Sequence, residues 1–333
     1  MNIEIIATSK PQIKRAVVEI NGTCNYRCKM CPQTTPGREP EFSKVMSFSD
    51  FNHVLDELEG CGVEVVNLEG SGEPTAIRSL PKYIAEVTKR GMKAYIYTNG
   101  FLFKDDLMRE CIDAGLSLVR FSVIGYNMDV YAEWMNRHWV DFTVVLNNAI
   151  NAKAYIKETK ADTIVASYHL ITDNTQVDFE IARYKENFIN KVGSQAEIWK
   201  QHNWASVYDA PERSGKKKTC GRPFAPDIVV RAGGNDGNSL SVAPCCQVLG
   251  SDVEASLGHL KTQTLEEVWW GDKYNELRML HAEERFDEIP YCKNCDFLID
   301  DPDTLVYTNS SLVDTQQMKG VSFSLDEYRG KNE

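Results

Sequence analysis

Hydrophobic residues along the first two thirds of the chain follow two alternating patterns. Short runs rich in β-branched and aromatic residues predict strands at 15–20, 63–68, 93–98, 118–123, 163–170 and 196–199. Between these runs, apolar residues recur every three or four positions and predict helices at 80–90, 104–114, 148–160 and 180–190. Ser49 can cap an earlier helix. The apolar positions of that helix are Phe51, Val54, Leu55, Leu58 and Cys61.

Strands that alternate with helices indicate a parallel sheet with right-handed crossovers. Six such units predict an α/β fold, in the form of a partial (β/α)6 barrel of the TIM type. Functional residues of such barrels lie at the carboxyl ends of the strands. Cys24 follows the first predicted strand, residues 70–74 the second and residues 98–100 the third, while Ser122 lies near the end of the fourth. We therefore expect the functional site at this mouth.

The alternation stops near residue 201. Residues 211–218 are charged and contain proline and glycine, which is typical of a linker. A hairpin-like region at 228–242 and a helix at 264–284 follow, and the chain after Asp300 is polar and poor in aliphatic residues. The predicted parts are an N-terminal extension (1–14), the barrel (15–205), a small C-terminal domain (206–300) and a polar tail (301–333).

The composition is that of a globular protein. The 333 residues are 42% hydrophobic and 26% charged, which excludes collagen-like, coiled-coil and wholly disordered chains. The net charge of 37 − 48 = −11 argues against a nucleic-acid partner, because an acidic surface repels phosphate groups. No apolar run approaches the roughly 18 residues of a membrane helix, and residues 1–15 lack the apolar core of a secretory signal. We expect a soluble, cytoplasmic protein without a membrane partner.

The ten cysteines form two groups, with only Cys61 and Cys111 alone on apolar helix faces, where we expect them in the core. In a reducing compartment, clustered thiols are more often metal ligands than disulfides. Cys24, Cys28 and Cys31 form a C-x3-C-x2-C loop after the first strand. Three thiolates on such a loop can hold three irons of a [4Fe–4S] cluster and leave the fourth open to an external ligand. Zinc would need a fourth nearby ligand, which the loop lacks.

This loop resembles the defining motif of the radical S-adenosylmethionine (radical SAM) enzymes. Residues 70–74, GSGEP, are similar to the family's Gly-Gly-Glu-Pro segment, although Ser71 replaces the first glycine. The resemblance implies that the open iron binds the amino and carboxylate groups of SAM, and that Glu73 accepts a hydrogen bond from the amine. Reduction then cleaves SAM to methionine and a 5′-deoxyadenosyl radical. The SAM-binding residues that it implies are Tyr26, Met30, Ser71, Gly72, Glu73, Pro74, Thr98, Asn99 and Ser122.

One of these residues departs from the family's pattern, and one further residue is added to them. Met30 stands where the family usually has an aromatic residue before the third cysteine. His169, at the end of the fifth predicted strand, is expected to face the barrel mouth and is added to the cofactor-binding residues. Its alternatives are a base or substrate-binding role and a hydrogen-bonded structural role, the commoner one for a single histidine.

The second cysteine group resembles an auxiliary-cluster domain of the SPASM/twitch type. Full SPASM domains carry about seven cysteines for two clusters, whereas the twitch form needs four for one auxiliary [4Fe–4S] cluster. The ligands that the resemblance implies are Cys220, Cys245, Cys292 and Cys295. Cys246 is left over, because adjacent side chains in extended backbone point to opposite faces. It is then either a small buried thiol or a hydrogen-atom donor to a substrate radical, and a zinc knuckle is the alternative for the whole group.

The chain further resembles radical SAM enzymes with one twitch-type cluster, such as 2-deoxy-scyllo-inosamine dehydrogenase and related sugar epimerases. The resemblance implies hydrogen abstraction from a sugar, aminosugar or cyclitol, giving oxidation or epimerisation, with an external electron donor such as flavodoxin or ferredoxin. Peptide maturation or sulfatase-type Ser/Cys oxidation is the alternative, against which we note that 23 residues precede Cys24. A non-catalytic metal-binding scaffold is the second alternative, and the segment around Glu73 argues against it.

Overall fold

The computed structural model describes residues 11, 13–37, 42–205, 207, 213–232, 240–250, 255–299 and 304–307. The strands among them are β1 (Arg15–Val18), β2 (Val65–Asn67), β3 (Lys93–Thr98), β4 (Leu116–Ser122), β5 (Ile164–Leu170), β6 (Gln195–Trp199), β7 (Asp227–Val230), β8 (Ser241–Ala243), β9 (Gly258–His259) and β10 (Thr304–Tyr307). The α-helices are α1 (Phe48–Gly60), α2 (Leu80–Lys89), α3 (Asp105–Asp113), α4 (Met128–Met135), α5 (Asp141–Thr159), α6 (Val177–Tyr184), α7 (Asn190–Val192), α8 (Leu265–Trp269) and α9 (Asp272–Ala282).

These strands form one sheet in the order β10-β6-β5-β4-β3-β2-β1-β7-β8-β9. β1 to β6 are parallel and adjacent in chain order, so their carboxyl ends meet at one mouth. Both faces of a parallel sheet are covered, which explains why its strands are short apolar runs rather than strict alternations. The predicted α/β fold with a partial barrel is confirmed.

The C-terminal part of the chain extends this sheet at both edges. β7 pairs in parallel with β1, and β8 and β9 continue from it in antiparallel register. β10 pairs antiparallel with β6 at the other edge. Part of the predicted polar tail is therefore a strand, while residues 300–303 and 308–333 lie outside the described residues, as do residues 1–10 of the predicted extension and 208–212 around the predicted linker.

The helices follow the apolar spacing, but several of their bounds differ from the prediction. The helix predicted at 148–160 begins at Asp141, and the one predicted at 180–190 begins at Val177. α1 is capped by Ser47 rather than Ser49, since the Ser47 hydroxyl accepts the Asp50 N–H at 3.0 Å. The helix predicted at 264–284 is two helices, because the extended backbone of Gly271 caps the start of α9. Among the described residues, none of the helices has the length and apolar character needed to cross a membrane.

Candidate functional site

A cavity of about 270 Å³ opens at the carboxyl ends of the parallel strands. Its walls come from the cysteine loop after β1, from the strand ends, and from the segments around β7 and β8. The predicted site residues that line it are Cys24, Tyr26, Cys28, Met30, Cys31, Ser71, Gly72, Glu73, Thr98, Asn99, Ser122 and Cys246. The structure thus brings together residues from five separate stretches of the sequence.

The cysteine loop is held against α4, a helix that the sequence analysis missed. The Lys29 N–H donates to the Trp134 carbonyl oxygen at 2.8 Å, and the hydroxyl groups of Tyr26 and Tyr131 lie 3.0 Å apart. These contacts fix the loop from behind. An apolar i, i+4 pair in α4, Tyr131 and Met135, was the signal that could have revealed it.

The electrostatics of this loop fit a cluster with a cationic iron–sulfur core. Burial, with a smaller contribution from the Glu73 carboxylate, raises the pKa of the Cys24 thiol to about 12. Burial and the two neighbouring thiols raise the pKa of Cys28 well above its ordinary value. Bound iron would supply the positive charge that these thiols need to ionise. No three His, Cys, Asp or Glu side chains within the described ranges surround a single ion, whereas a cubane spreads its ligands over separate irons.

The Glu73 carboxylate is fixed through both of its oxygens. Oε1 accepts the Thr75 N–H at 2.9 Å and the hydroxyl groups of Thr75 and Thr98 at 2.5 and 2.6 Å, and Oε2 accepts the Asn99 N–H at 2.8 Å. Burial raises the pKa of Glu73 and these hydrogen bonds oppose it. Pro74 is buried and starts the turn that carries Thr75. Oε2 can accept one further donor, which fits the ammonium group of SAM.

Gly72 and Ser71 join this segment to other parts of the molecule. A Cβ on Gly72 would lie 2.3 Å from the Asn21 carbonyl oxygen and 2.4 Å from that of Thr23, so only glycine fits here. The Ser71 hydroxyl accepts the Gly250 N–H at 3.2 Å. The serine that departs from the family's pattern therefore links the predicted SAM site to the C-terminal region.

His169 lies behind the cavity wall and not at the barrel mouth, where it was predicted. It is fully buried, and its ring stacks on Tyr184 at 4.4 Å between centroids. Its Nε2 lies 2.7 Å from Oε1 of Glu180, and its Nδ1 lies 3.1 Å from the Val123 carbonyl oxygen and 3.2 Å from the Gly125 nitrogen. Both ring nitrogens have protein partners, one from α6 and the others from the segment after β4, and we do not propose His169 for SAM binding.

Charged and phenolic side chains from the middle strands form the floor of the cavity. Arg120 donates through Nη1 to Oε2 of Glu197 at 2.8 Å, and its guanidinium lies 3.4 Å from the ring centre of Tyr97 and 4.6 Å from that of Tyr168. Burial raises the pKa of Glu69, at the end of β2, to about 7, although Arg120 opposes this. The sequence analysis missed this group, whose signal was a charged residue inside an apolar strand such as β4.

The late cysteines separate into four and one. Burial, together with the Cys220 and Cys245 thiols, raises the pKa of both Cys292 and Cys295, so these four thiols lie near one another. Cys246 raises the pKa of Cys220 but is not among the groups that act on Cys292 and Cys295. Cys246 instead lines the cavity. The side chains of Cys245 and Cys246 therefore point to different sides of this segment. The prediction requires this arrangement, with Cys245 as a ligand and Cys246 as the spare thiol. Four thiols at one place, of which Cys220 is buried and the other three are half-buried, again fit a cluster with a cationic iron–sulfur core.

A histidine adjoins the four thiols and was not predicted. Nε2 of His281 lies 3.5 Å from Sγ of Cys292, and its Nδ1 lies 3.0 Å from the Thr219 hydroxyl. Burial lowers the pKa of His281 to about 4, so the ring is neutral at pH 7. With the proton on Nε2, the ring accepts from Thr219 and donates to the sulfur of Cys292. Hydrogen bonds of this kind orient and tune metal ligands.

Comparisons with known families place the chain in a class. The family model of the Radical SAM superfamily matches residues 18–180, and that of the SPASM iron–sulfur cluster-binding domain matches residues 229–296. The chain therefore contains a radical SAM domain followed by a SPASM domain. These two domains imply a [4Fe–4S] cluster with SAM and an auxiliary iron–sulfur site.

Individual relatives are distant. The tungsten-containing aldehyde ferredoxin oxidoreductase cofactor-modifying protein of Pyrococcus furiosus is 34% identical over 113 residues, which is 33% of this chain and 31% of the relative. The chain thus spans about a third of the length of this relative and between 28% and 54% of the curated relatives that it matches.

Two solved structures share the fold. BtrN in complex with AdoMet and 2-DOIA is 16% identical, with a TM-score of 0.55 over 85% of this chain and 93% of that one. Streptococcus suis SuiB bound to the precursor peptide SuiA is 12% identical, with a TM-score of 0.58 over 80% of this chain and 67% of that one. At these identities the likeness shows the fold alone.

Proposed function

We propose that the chain is a radical SAM oxidoreductase or epimerase that removes a hydrogen atom from a carbinol carbon of a sugar, aminosugar or cyclitol. The cavity is the observation that supports this proposal. The predicted SAM-binding residues, a charged and phenolic floor, and the thiol of Cys246 all border one space of about 270 Å³. Convergent charged, phenolic and thiol groups beside the predicted SAM site suit a small hydroxylated molecule.

The roles of the cysteines follow from their placement. Cys24, Cys28 and Cys31 would hold the SAM-binding cluster, and Glu73 would orient the ammonium group of SAM. When bound, this cluster with SAM supplies a 5′-deoxyadenosyl radical, and the auxiliary cluster of the late cysteines supplies an electron acceptor. The chain itself binds and orients the substrate, to which Arg120 offers donors and the carboxylates of Glu69 and Glu197 offer acceptors.

Cys246 decides between two outcomes. If its S–H bond breaks to form a C–H bond on the opposite face of the substrate radical, the product is an epimer. One electron and one proton from an external donor, such as flavodoxin or ferredoxin, then restore the thiol. If Cys246 does not donate, the substrate radical loses one electron to the acceptor and one proton to solvent or a base, and the product is a carbonyl compound.

Deuterium transfer tests this proposal. Anaerobically reconstituted protein would be supplied with SAM, reduced flavodoxin and a panel of sugars, aminosugars and cyclitols deuterated at their carbinol carbons. We expect deuterium in the 5′-deoxyadenosine formed with a true substrate. The same reaction with unlabelled substrate in D2O separates the outcomes, because an epimerase places solvent deuterium on the product carbon and a dehydrogenase yields a carbonyl.

Cysteine variants give matched controls for that assay. Cys246→Ala is expected to abolish epimer formation while 5′-deoxyadenosine still forms. Cys61 is the C-cap residue of α1, and Cys61→Ala is expected to change neither product. Transfer of deuterium from none of the polyols would contradict the proposal.

A second candidate is peptide modification. The likeness to SuiB, whose structure is bound to a precursor peptide, and the 29% identity over 125 residues with the PqqA peptide cyclase of Bradyrhizobium diazoefficiens favour it. Short peptides that carry Ser or Cys deuterated at Cβ would be added to the same panel. Deuterium transfer from these peptides alone would replace the polyol with a peptide substrate.

A further inference from the structure

Arg222 stands where the cavity meets the four late thiols. It follows Cys220 by two residues, after Gly221, whose φ of +75° places the turn in the left-handed region that favours glycine. Both Arg222 and Cys246 line the cavity. The side chain of Arg222 therefore borders the predicted substrate space on one side and the predicted cluster ligands on the other.

Two contacts hold its guanidinium in place. Nη1 donates to Sγ of Cys246 at 2.9 Å, and the guanidinium carbon lies 4.8 Å from the ring centre of Phe297. Phe297 itself lies two residues after Cys295. A guanidinium that is hydrogen-bonded on one edge and stacked on an aromatic face has little freedom to move away.

The positive charge of Arg222 changes the pKa values of the thiols around it. It lowers the pKa of Cys220, Cys245 and Cys246 against the effect of burial, and these thiols together with Cys295 raise the pKa of Arg222. Three of these four, Cys220, Cys245 and Cys295, are predicted cluster ligands. Arg222 is half-buried, so its positive charge beside these thiols is less screened than a charge on the outer surface.

We propose that Arg222 is a positioning residue that sets the reduction potential of the auxiliary cluster. Reduction adds one negative charge to a thiolate-bound cluster, so a fixed cation beside the ligands stabilises the reduced form and raises the potential. Arg222 thereby makes the auxiliary cluster a better electron acceptor for a radical formed in the cavity. This inference rests on the auxiliary cluster of the proposed function and does not depend on the substrate.

The test is a redox titration of the auxiliary cluster by electron paramagnetic resonance. Full-length protein with Cys24, Cys28 and Cys31 changed to alanine would isolate that cluster. In this background, Arg222→Gln is expected to lower the ratio of reduced to oxidised cluster at least tenfold at a fixed applied potential, a shift of about 59 mV for one electron. Arg222→Lys keeps the charge and is expected to retain most of the potential.

A control and a second variant complete the design. Arg120→Gln removes another cavity arginine whose charge is already paired with Glu197, and it should leave the potential unchanged. Gln247→Glu keeps Arg222 but adds a negative charge near Cys246, whose Sγ lies 3.8 Å from Nε2 of Gln247, and is expected to lower the potential. If the Arg222→Gln protein does not retain its iron, this variant tests the effect of charge on the potential instead.

Results that would overturn the role of Arg222 differ from the result that would contradict the auxiliary cluster. An unchanged potential in Arg222→Gln, or in Gln247→Glu where the former loses its cluster, would overturn the inference. An equal fall in Arg222→Gln and Arg222→Lys would also overturn it, because the effect would then be one of shape and not of charge. Absence of iron from the background protein itself would instead contradict the auxiliary cluster, and with it the dehydrogenase form of the proposed function.

Discussion

Glu69 carries a carboxyl group that titrates near neutral pH because of its position. It is half-buried just after β2, where it lines the cavity, and burial raises its pKa from 4.5 to about 7. Its Oε1 accepts a long hydrogen bond of 3.3 Å from Asn67. Arg120 and Arg15 oppose the rise in pKa and Glu197 adds to it. The protonated form is therefore favoured in the folded protein relative to the unfolded chain.

This shift predicts a pH-dependent stability. Below pH 4.5 both states are protonated, and between about 4.5 and 7 only the folded state keeps the proton, so its stability falls as pH rises through this window. Glu69→Gln should remove this loss and gain on the order of 2 kcal/mol over wild type on going from pH 5 to pH 8, after allowance for access to water from the cavity. Urea denaturation of the reconstituted proteins without SAM measures the difference.

The control for this prediction is Glu64→Gln, an exposed carboxylate paired with Lys14. It should keep the pH dependence of wild type. If Glu69→Gln also kept it, the carboxyl of Glu69 would not be the group that titrates, and the prediction would be wrong.

At the scale of elements, the site depends on how closely two loops approach. The turn after β2 passes so near the loop after β1 that Gly72 has no room for a side chain. We expect Gly72→Ala to push the turn away from the cysteine loop and to cost about 1–3 kcal/mol, as overpacking does. The affinity of the reconstituted protein for SAM, measured by calorimetry, should fall at least tenfold.

Gly60→Ala is the matched control for that change. Gly60 ends α1, and a Cβ there would meet nothing within 4 Å. Alanine is the better helix former, so this variant should be as stable as wild type or more so, with unchanged SAM binding. Equal SAM binding by both variants would show that the close approach of the two loops is unimportant.

The strands show which features of the fold can be predicted from the sequence. The strand at 93–98 has the predicted bounds, because a local apolar run determines it. The parallel pairing of β7 with β1 is not local, and nothing in the apolar pattern of either strand indicates its partner. For the same reason the motifs predicted Glu73 and the cysteines, whereas Arg120, Arg222 and Thr75 became visible only through their contacts.

At the scale of the whole molecule, one cavity is lined by the first three cysteines and by Cys246 of the late group. The pairing of β7 with β1 carries the C-terminal region to the mouth of the barrel, and the Ser71–Gly250 hydrogen bond joins the two parts directly. Cys246 and Arg222 then form the cavity wall nearest the four late thiols. A protein with this arrangement can hold two clusters that share one reaction space.

The iron content tests this arrangement directly. Anaerobically reconstituted wild type is expected to bind about eight irons, and the Cys24/Cys28/Cys31→Ala variant about four. Cys220/Cys292/Cys295→Ala should also bind about four and should retain SAM-dependent 5′-deoxyadenosine formation, because the first cluster is intact. Cys246→Ala should keep the full complement while Cys245→Ala loses auxiliary iron, since of these two thiols only Cys245 acts on Cys292 and Cys295. About four irons in wild type, all lost with the first three cysteines, would mean that the late cysteines bind zinc or no metal. That outcome would remove the electron acceptor that the dehydrogenase needs, and would leave epimerisation through Cys246 as the stronger interpretation.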